Sequence, residues 1–145
     1  HPYPLGPEPR QNTLQPPLTT LPEQSIIDNS PTVPSFSASH FLERYVAFMQ
    51  TPGSHNDTYA STAHRMFFAN VLRGKTPEEC ADNDGHNTDA IDALTLTVPV
   101  ILAYSKADRG VRNAKVREAV LATRKTTTVL PYAEQYADIL TAGKY

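Results

Sequence analysis

At 145 residues the chain can form one compact domain, burying roughly two-thirds of the surface its unfolded form exposes, and two full domains would be crowded. A formal net charge of −2 without a basic stripe lacks the electrostatic footprint of nucleic-acid binding, which excludes that partner class. The longest apolar run, around Leu94 to Tyr104, is interrupted by Thr95, Thr97 and Pro99 and falls short of the ~20 residues that span a bilayer, so no membrane partner is expected.

Nine of the thirteen prolines fall within residues 1–34, a stretch with only four charged side chains. Proline at this density removes backbone donors and blocks helix, so the segment is expected to be extended, apart from a turn of helix around Leu18 to Ile27. Tyr3, Leu5, Leu14, Leu18, Leu21, Ile26, Ile27 and Val33 are too many apolar side chains for a solvated spacer. The segment therefore reads as an arm laid across a helical body or a partner. Homo-oligomerisation or assembly through this arm is the partner it suggests. His1 in place of Met, with no signal-like start, suggests a processed chain or a piece of a longer one.

From Ser35 onward the 3.6-residue period dominates. "SFSASHFLERYVAFMQ" places Phe41, Leu42, Tyr45, Val46 and Met49 on one helical face, with Ser37 or Ser39 as cap and Pro52-Gly53 as stop. "DTYASTAHRMFFANVLRGK" repeats the device with Tyr59, Ala63, Met66, Phe67 and Val71, and Gly74 supplies a left-handed C-terminal position. "TPEEC" reads as a capped single turn with Pro77 at its first helical position. A longer helix is predicted from about Asn87 to Tyr104, bent near Pro99, where a backbone hydrogen bond is lost. Two more follow: Asp108 to Arg124 with Val111, Val116, Val120 and Leu121 inward, and Thr128 to Ala142 with Tyr132, Tyr136, Ile139 and Leu140 inward. The expected class is all-α, a bundle of about five helices over residues 35–145 with a proline-rich extended arm over residues 1–34.

Polar side chains gather at two places. Asp82, Asp84, His86, Asn87, Thr88, Asp89 and Asp92 precede the long apolar helix. Helix capping and the macrodipole explain Asp84 and Asn87, but give no role to His86 and a strained one to Asp89 and Asp92. Oxygen-rich side chains at one helix start also suit a hard divalent cation. An EF-hand is excluded, since "DNDGHNTDAIDA" has its Gly fourth and ends in Ala, and no zinc-ligand spacing links Cys80 to the histidines. The second place is "TPGSHNDTYAS", where Ser54, His55, Asn56 and Asp57 could either cap the next helix or meet the hydroxyls and phosphates of a sugar nucleotide. Asn56-Asp57-Thr58 is also a glycosylation sequon, usable only in a secreted protein. The single Cys80 leaves the compartment open between cytosol and secretion. No nucleophile elbow, P-loop or dinucleotide fingerprint occurs.

The runs "ECADNDGHNTDAIDALTLTVPVILAY" and "KVREAVLATRKTTTVLPYAEQYADIL", with "PYPLGPEPRQNT" near the start, resemble the central part of the ADP-ribosylglycohydrolase superfamily, particularly its branch similar to jellyfish J-type crystallins. That resemblance implies an all-α fold and a hydrolase that cleaves an ADP-ribosyl glycosidic bond with paired Mg²⁺ ions. Carried over, it makes Asp84 and Asp89 catalytic, and Ser54, His55, Asn56, Asp57, His86 and Asn87 binding residues for an ADP-ribose-type ligand. A second placement treats "GHNTDAI" as the family's late metal motif and "HNDT" as its early one, making Asp57, Thr88 and Asp89 the metal ligands. The sequence departs from the pattern at Arg10-Gln11-Asn12-Thr13, where an early metal motif would carry carboxylates. A crystallin-like structural protein that has lost the chemistry is therefore the alternative implied.

Overall fold

The computed structural model describes residues 15–29, 35–51, 61–85 and 88–142. Among these residues six α-helices run in chain order: α1 (Gln15–Asn29), α2 (Ala38–Gln50), α3 (Thr62–Leu72), α4 (Val98–Ala103), α5 (Arg109–Thr123) and α6 (Leu130–Ala142). Two 3₁₀ segments, Pro77–Glu79 and Ile91–Thr97, complete them. The fold is all-α: among the described residues the only β pairing is an isolated bridge between Asp82 and Arg124. No described helix is long and apolar enough to cross a membrane.

The core gathers one stripe from each helix. Leu18 and Ile26 of α1, Phe41, Leu42 and Tyr45 of α2, Phe67 of α3, Val100 and Ile101 of α4, Val116 and Val120 of α5, and Ala133 and Ala137 of α6 form one buried cluster. Tyr45 sits at its aromatic centre, stacked on Phe41 at 5.9 Å and edge-on to Phe67 at 5.0 Å between ring centroids. Such geometries add favourable quadrupole contacts to the area buried.

α1 departs most from the sequence expectation. The turn of helix anticipated around Leu18 is a fifteen-residue helix. Pro16 and Pro17 fall in its first turn, where backbone N–H groups have no intrahelical partner to lose. Pro22 lies in the interior and forfeits one bond. Burial offsets that cost: Leu18, Pro22 and Ile26, four residues apart, all face inward. The helix packs on α2 and α4, and the Ser25 hydroxyl is hydrogen-bonded to His40 Nδ1 of α2 at 2.7 Å. Residues 15–29 thus share the core of the body rather than lying across it as an extended arm. Residues 1–14 and 30–34 lie outside the described residues.

α2 starts where expected, with the Ser37 hydroxyl accepting from the His40 N–H at 3.5 Å. Its entry is held from a distance. Glu118 accepts from the Ala38 N–H, Lys115 donates to the Phe36 carbonyl, and the Tyr104 hydroxyl accepts from the Phe36 N–H, each at 2.9 Å. Gly74 takes the predicted left-handed conformation after α3, with φ 85°. Tyr59 and the Pro52-Gly53 stop lie outside the described residues.

Three helical expectations need correction. The long helix from Asn87 to Tyr104 begins only at Ile91 and runs as 3₁₀ to Thr97 before becoming α4. Pro99 lies in the first turn of α4, where it needs no N–H partner, so the change of helix type replaces the expected bend. On α5, Val111 and Leu121 point outward at 50% and 43% exposure, and Arg112, Asn113, Ala119 and Thr123 are buried with Val116 and Val120. On α6, Tyr132 and Ile139 are both 64% exposed, while Ala133, Ala137 and Thr141 face in and Tyr136 and Leu140 pack at the edge of the core. Small side chains let α5 and α6 approach closely, and buried Arg112 ties them by donating to Thr141 at 2.7 Å and pairing with Asp138.

If α1 belongs to the core, Leu18→Ala removes packing from an otherwise filled site and costs about 2–5 kcal/mol in urea denaturation. A change below about 0.5 kcal/mol, the level of a surface substitution, would place α1 outside the cooperative unit.

Candidate functional site

The acidic turn is built by the strand-like segment after Cys80 meeting the chain that leaves α5. The Lys125 N–H donates to the Asp82 carbonyl at 3.3 Å, and the Asn83 amide donates to the Lys125 carbonyl at 2.7 Å. On the other side, buried Asn70 of α3 donates to the Cys80 carbonyl at 3.0 Å and to the Asp82 carboxylate at 3.2 Å. Hydrogen bonds from the Asn83 N–H and then from Asn70 hold the Asp82 carboxyl below the usual carboxylate range. Gly85, at φ 77°, supplies the left-handed residue that turns the chain, and its N–H donates to the Asn83 side chain at 2.6 Å.

Asp84 closes this turn. It accepts from the Thr88 N–H at 3.2 Å and from the Thr88 hydroxyl at 3.0 Å, while the same hydroxyl accepts from the Asp84 N–H at 3.2 Å. Thr88 is fully buried and Asp84 is exposed. Asp89, also exposed, accepts from the hydroxyl of buried Thr126. The residue preceding the 3₁₀ segment is Ala90, with no side-chain cap. The acids of the turn therefore do not cap that helix; they bond to other parts of the loop and to the segment after α5.

Arg124, immediately after α5, ties these pieces together. Its side chain is 1% exposed. One guanidinium nitrogen donates to the Thr88 carbonyl at 3.0 Å and another pairs with Asp92 at 2.8 Å. A buried guanidinium is tolerated when it gains a carboxylate and further acceptors; this one has a carboxylate and one carbonyl, while its Nε and the Asp92 Oδ1 are buried without a partner among the described residues. Asp92 thereby pairs with Arg124, thirty-two residues away in the chain.

Behind Arg124 lies a buried polar pair in the aromatic core. The Tyr45 hydroxyl is hydrogen-bonded to His64 Nδ1, and both side chains are within 2% of complete burial. Burial first, then the positive charge of Arg124, pushes His64 down to about 4, with Asp92 opposing. Burial also pushes the Tyr45 phenol up. Both are neutral near pH 7, which is what a shared hydrogen bond in an apolar setting requires.

A cleft of about 310 Å³ opens beside Asp89, walled by Ala90, Leu94, Val129, Tyr132, Tyr136 and Ile139, with Gln135 as its other polar member. Of the residues expected to form a site, Asp84, Thr88 and Asp89 are neighbours in the turn. Ser54, His55, Asn56, Asp57, His86 and Asn87 lie outside the described residues. Among the described residues no group of three His, Cys, Asp or Glu side chains converges as a metal cluster would. Tyr45 was read from the sequence only as a core-facing residue of its helix, and Arg124, Thr126 and His64 were given no role. A signal for Arg124 exists all the same, because Val116, Val120 and Arg124 recur every fourth residue along the buried stripe of α5 and its exit. No protein-family model matches the chain, and no curated protein or solved structure matches it.

Two outcomes follow from this arrangement. Arg124→Ala strands Asp92 and the Thr88 carbonyl, costs about 3–5 kcal/mol, and speeds amide exchange at Thr88; a full-stability variant with unchanged exchange would remove Arg124 from this role. His64 has a folded pKa below its unfolded value, so the stability it supports is full above about pH 6.5 and lost as pH falls toward about 4. Urea midpoints at pH 7 and pH 4 should differ less in His64→Gln than in the parent chain, and equal differences would count against His64 as the titrating group.

Proposed function

We propose that the chain is a catalytically degenerate, ADP-ribosylglycohydrolase-like protein with a structural role, in which the acidic turn has become part of the scaffold. The supporting observation is the employment of its carboxylates: Asp84 binds Thr88, Asp89 binds Thr126 and Asp92 binds Arg124. A two-ion Mg²⁺ centre needs carboxylate and hydroxyl oxygens directed at a shared point. Among the described residues no three His, Cys, Asp or Glu side chains converge in that way. The Thr88 hydroxyl is buried and satisfied by Asp84 in both directions, and Asp89 turns an oxygen to Thr126. Arg10-Gln11-Asn12-Thr13 adds no carboxylate. The fold frame of the resemblance is kept in this reading, and its chemistry is lost.

A second reading keeps the hydrolase, and the cleft beside Asp89 favours it. Tyr132, Tyr136 and Gln135 offer an ADP-ribose-type ligand aromatic faces and an amide next to an exposed carboxylate. In that version Asp89 or Asp84 serves as general base for water attack on the glycosidic carbon.

The two readings separate on Asp89. In the structural one, Asp89→Ala leaves buried Thr126 unpaired and costs about 1 kcal/mol of stability. Millimolar Mg²⁺ with an ADP-ribosylated peptide then yields no free ADP-ribose above the protein-free control. Release of ADP-ribose by the parent chain that drops on the order of 100-fold in a folded Asp89→Asn variant establishes the hydrolase instead.

A further inference from the structure

α1, α4 and α6 leave a second cleft, of about 680 Å³, which shares only Tyr136 with the one beside Asp89. Its volume falls within the ~300–1,000 Å³ of small-molecule sites. α1 contributes Thr20, Glu23 and Ile27, three and four residues apart and so on one face of the helix. The chain running into α4 contributes Thr95, Pro99 and Leu102 at similar spacing, and α6 adds the Tyr136 ring. Ile27 and Leu102 each leave about half of their surface in water. Glu23 is the one charged side chain among the described residues that line the cleft, and it forms no ion pair with any of them.

We infer that this cleft binds a small lipophilic cation, a protonated amine on an apolar body, with the ammonium at Glu23 and the body against Ile27, Pro99, Leu102 and Tyr136. The lining selects that class. Small-molecule sites combine an apolar wall, which supplies affinity, with a few polar groups that fix orientation. The Glu23 carboxylate offers only lone pairs. The Thr95 hydroxyl already donates to the Asp92 carbonyl at 2.7 Å, so toward a ligand it can only accept. An ammonium, with three N–H donors and a positive charge, answers both. A carboxylate or phosphate would meet acceptors alone and be repelled by Glu23, since no Lys, Arg or His lines the cleft. The apolar body then takes the exposed faces of Ile27 and Leu102 out of water, which is favourable in proportion to the area covered. The inference depends on α1, α4 and α6 and stands whether or not the acidic turn is catalytic.

Phenylbutylamine, phenylbutanol and phenylbutyrate share one apolar body and differ in charge. Titrating each to millimolar concentration into the full chain, with backbone amide shifts followed by NMR, tests this. The expected shifts saturate, map to residues 20–27 and 95–103 and to Tyr136, and rank the amine above the alcohol and the alcohol above the carboxylate. Glu23→Gln, at an exposed helical position that leaves the fold intact, lowers the affinity for the amine roughly five-fold, the upper range for an ion pair open to solvent, and leaves that for the alcohol unchanged. Leu102→Ser, also exposed, weakens amine and alcohol alike. Equal affinity for amine and alcohol, an amine affinity indifferent to Glu23→Gln, shifts centred elsewhere, or no saturable shift overturns the inference. Shifts of the same residues with protein concentration alone overturn it too, by placing a second copy in the cleft.

Discussion

The buried guanidinium of Arg124 is the constraint from which the acidic turn takes its shape. A cation with 1% exposure loses most of its hydration, and only a carboxylate and a carbonyl placed at its nitrogens make that burial tolerable. Asp92 and the Thr88 carbonyl are those groups, and they lie at opposite ends of a five-residue stretch. Holding both at once fixes the path of the chain from the turn into the 3₁₀ segment. The same positive charge reaches the Tyr45 and His64 pair, favouring the neutral imidazole that their hydrogen bond uses. One side chain after α5 thus couples the turn, the start of the 3₁₀ segment and the aromatic core.

Helix capping is an incomplete account of the acids. Asp92 is a counterion, Asp84 is the far end of a loop closure, and Asp89 anchors the segment after α5 through Thr126. Asp89 and Asp92 have partners 37 and 32 residues away in the chain, which is why local rules for helix ends did not find them, while Asp84 bonds within its own loop. The structural reading rests on the same fact: one oxygen of Asp84 and one of Asp89 are held by the Thr88 and Thr126 hydroxyls, while each carboxylate keeps a second oxygen for other partners.

Element positions were largely legible, because apolar spacing at three and four residues is a local property. α2, α5 and α6 fall within a few residues of the periods that announced them. Faces were less legible. Val111, Leu121, Tyr132 and Ile139 were assigned inward for being large, whereas α5 and α6 meet through Ala119, Ala133 and Ala137 and through Arg112 and Thr141. Hydrophobicity ranks side chains by transfer, but close helix contact selects for small ones. α1 was hidden for the opposite reason. Its prolines lower intrinsic helix propensity, and only the contacts of Leu18, Pro22 and Ile26 with distant helices repay them. The site shares that limit, since Arg124 acts across thirty-six residues to Thr88 and nothing near either residue in the chain names the other.

α6 carries the consequence furthest. With Ala133 and Ala137 against the core, it turns Tyr132 and Ile139 outward, while Glu134 and Asp138 form ion pairs and Gln135 is exposed. At Tyr136 it adjoins the larger cleft, whose other walls are α1 and α4, with Ile27 and Leu102 among their lining residues. Three helices thus turn apolar surface toward the two clefts, which charged Glu23 and Asp89 also line. Random surface exposure would scatter such side chains singly. Here four of the seven large apolar side chains exposed among the described residues line two clefts that share Tyr136.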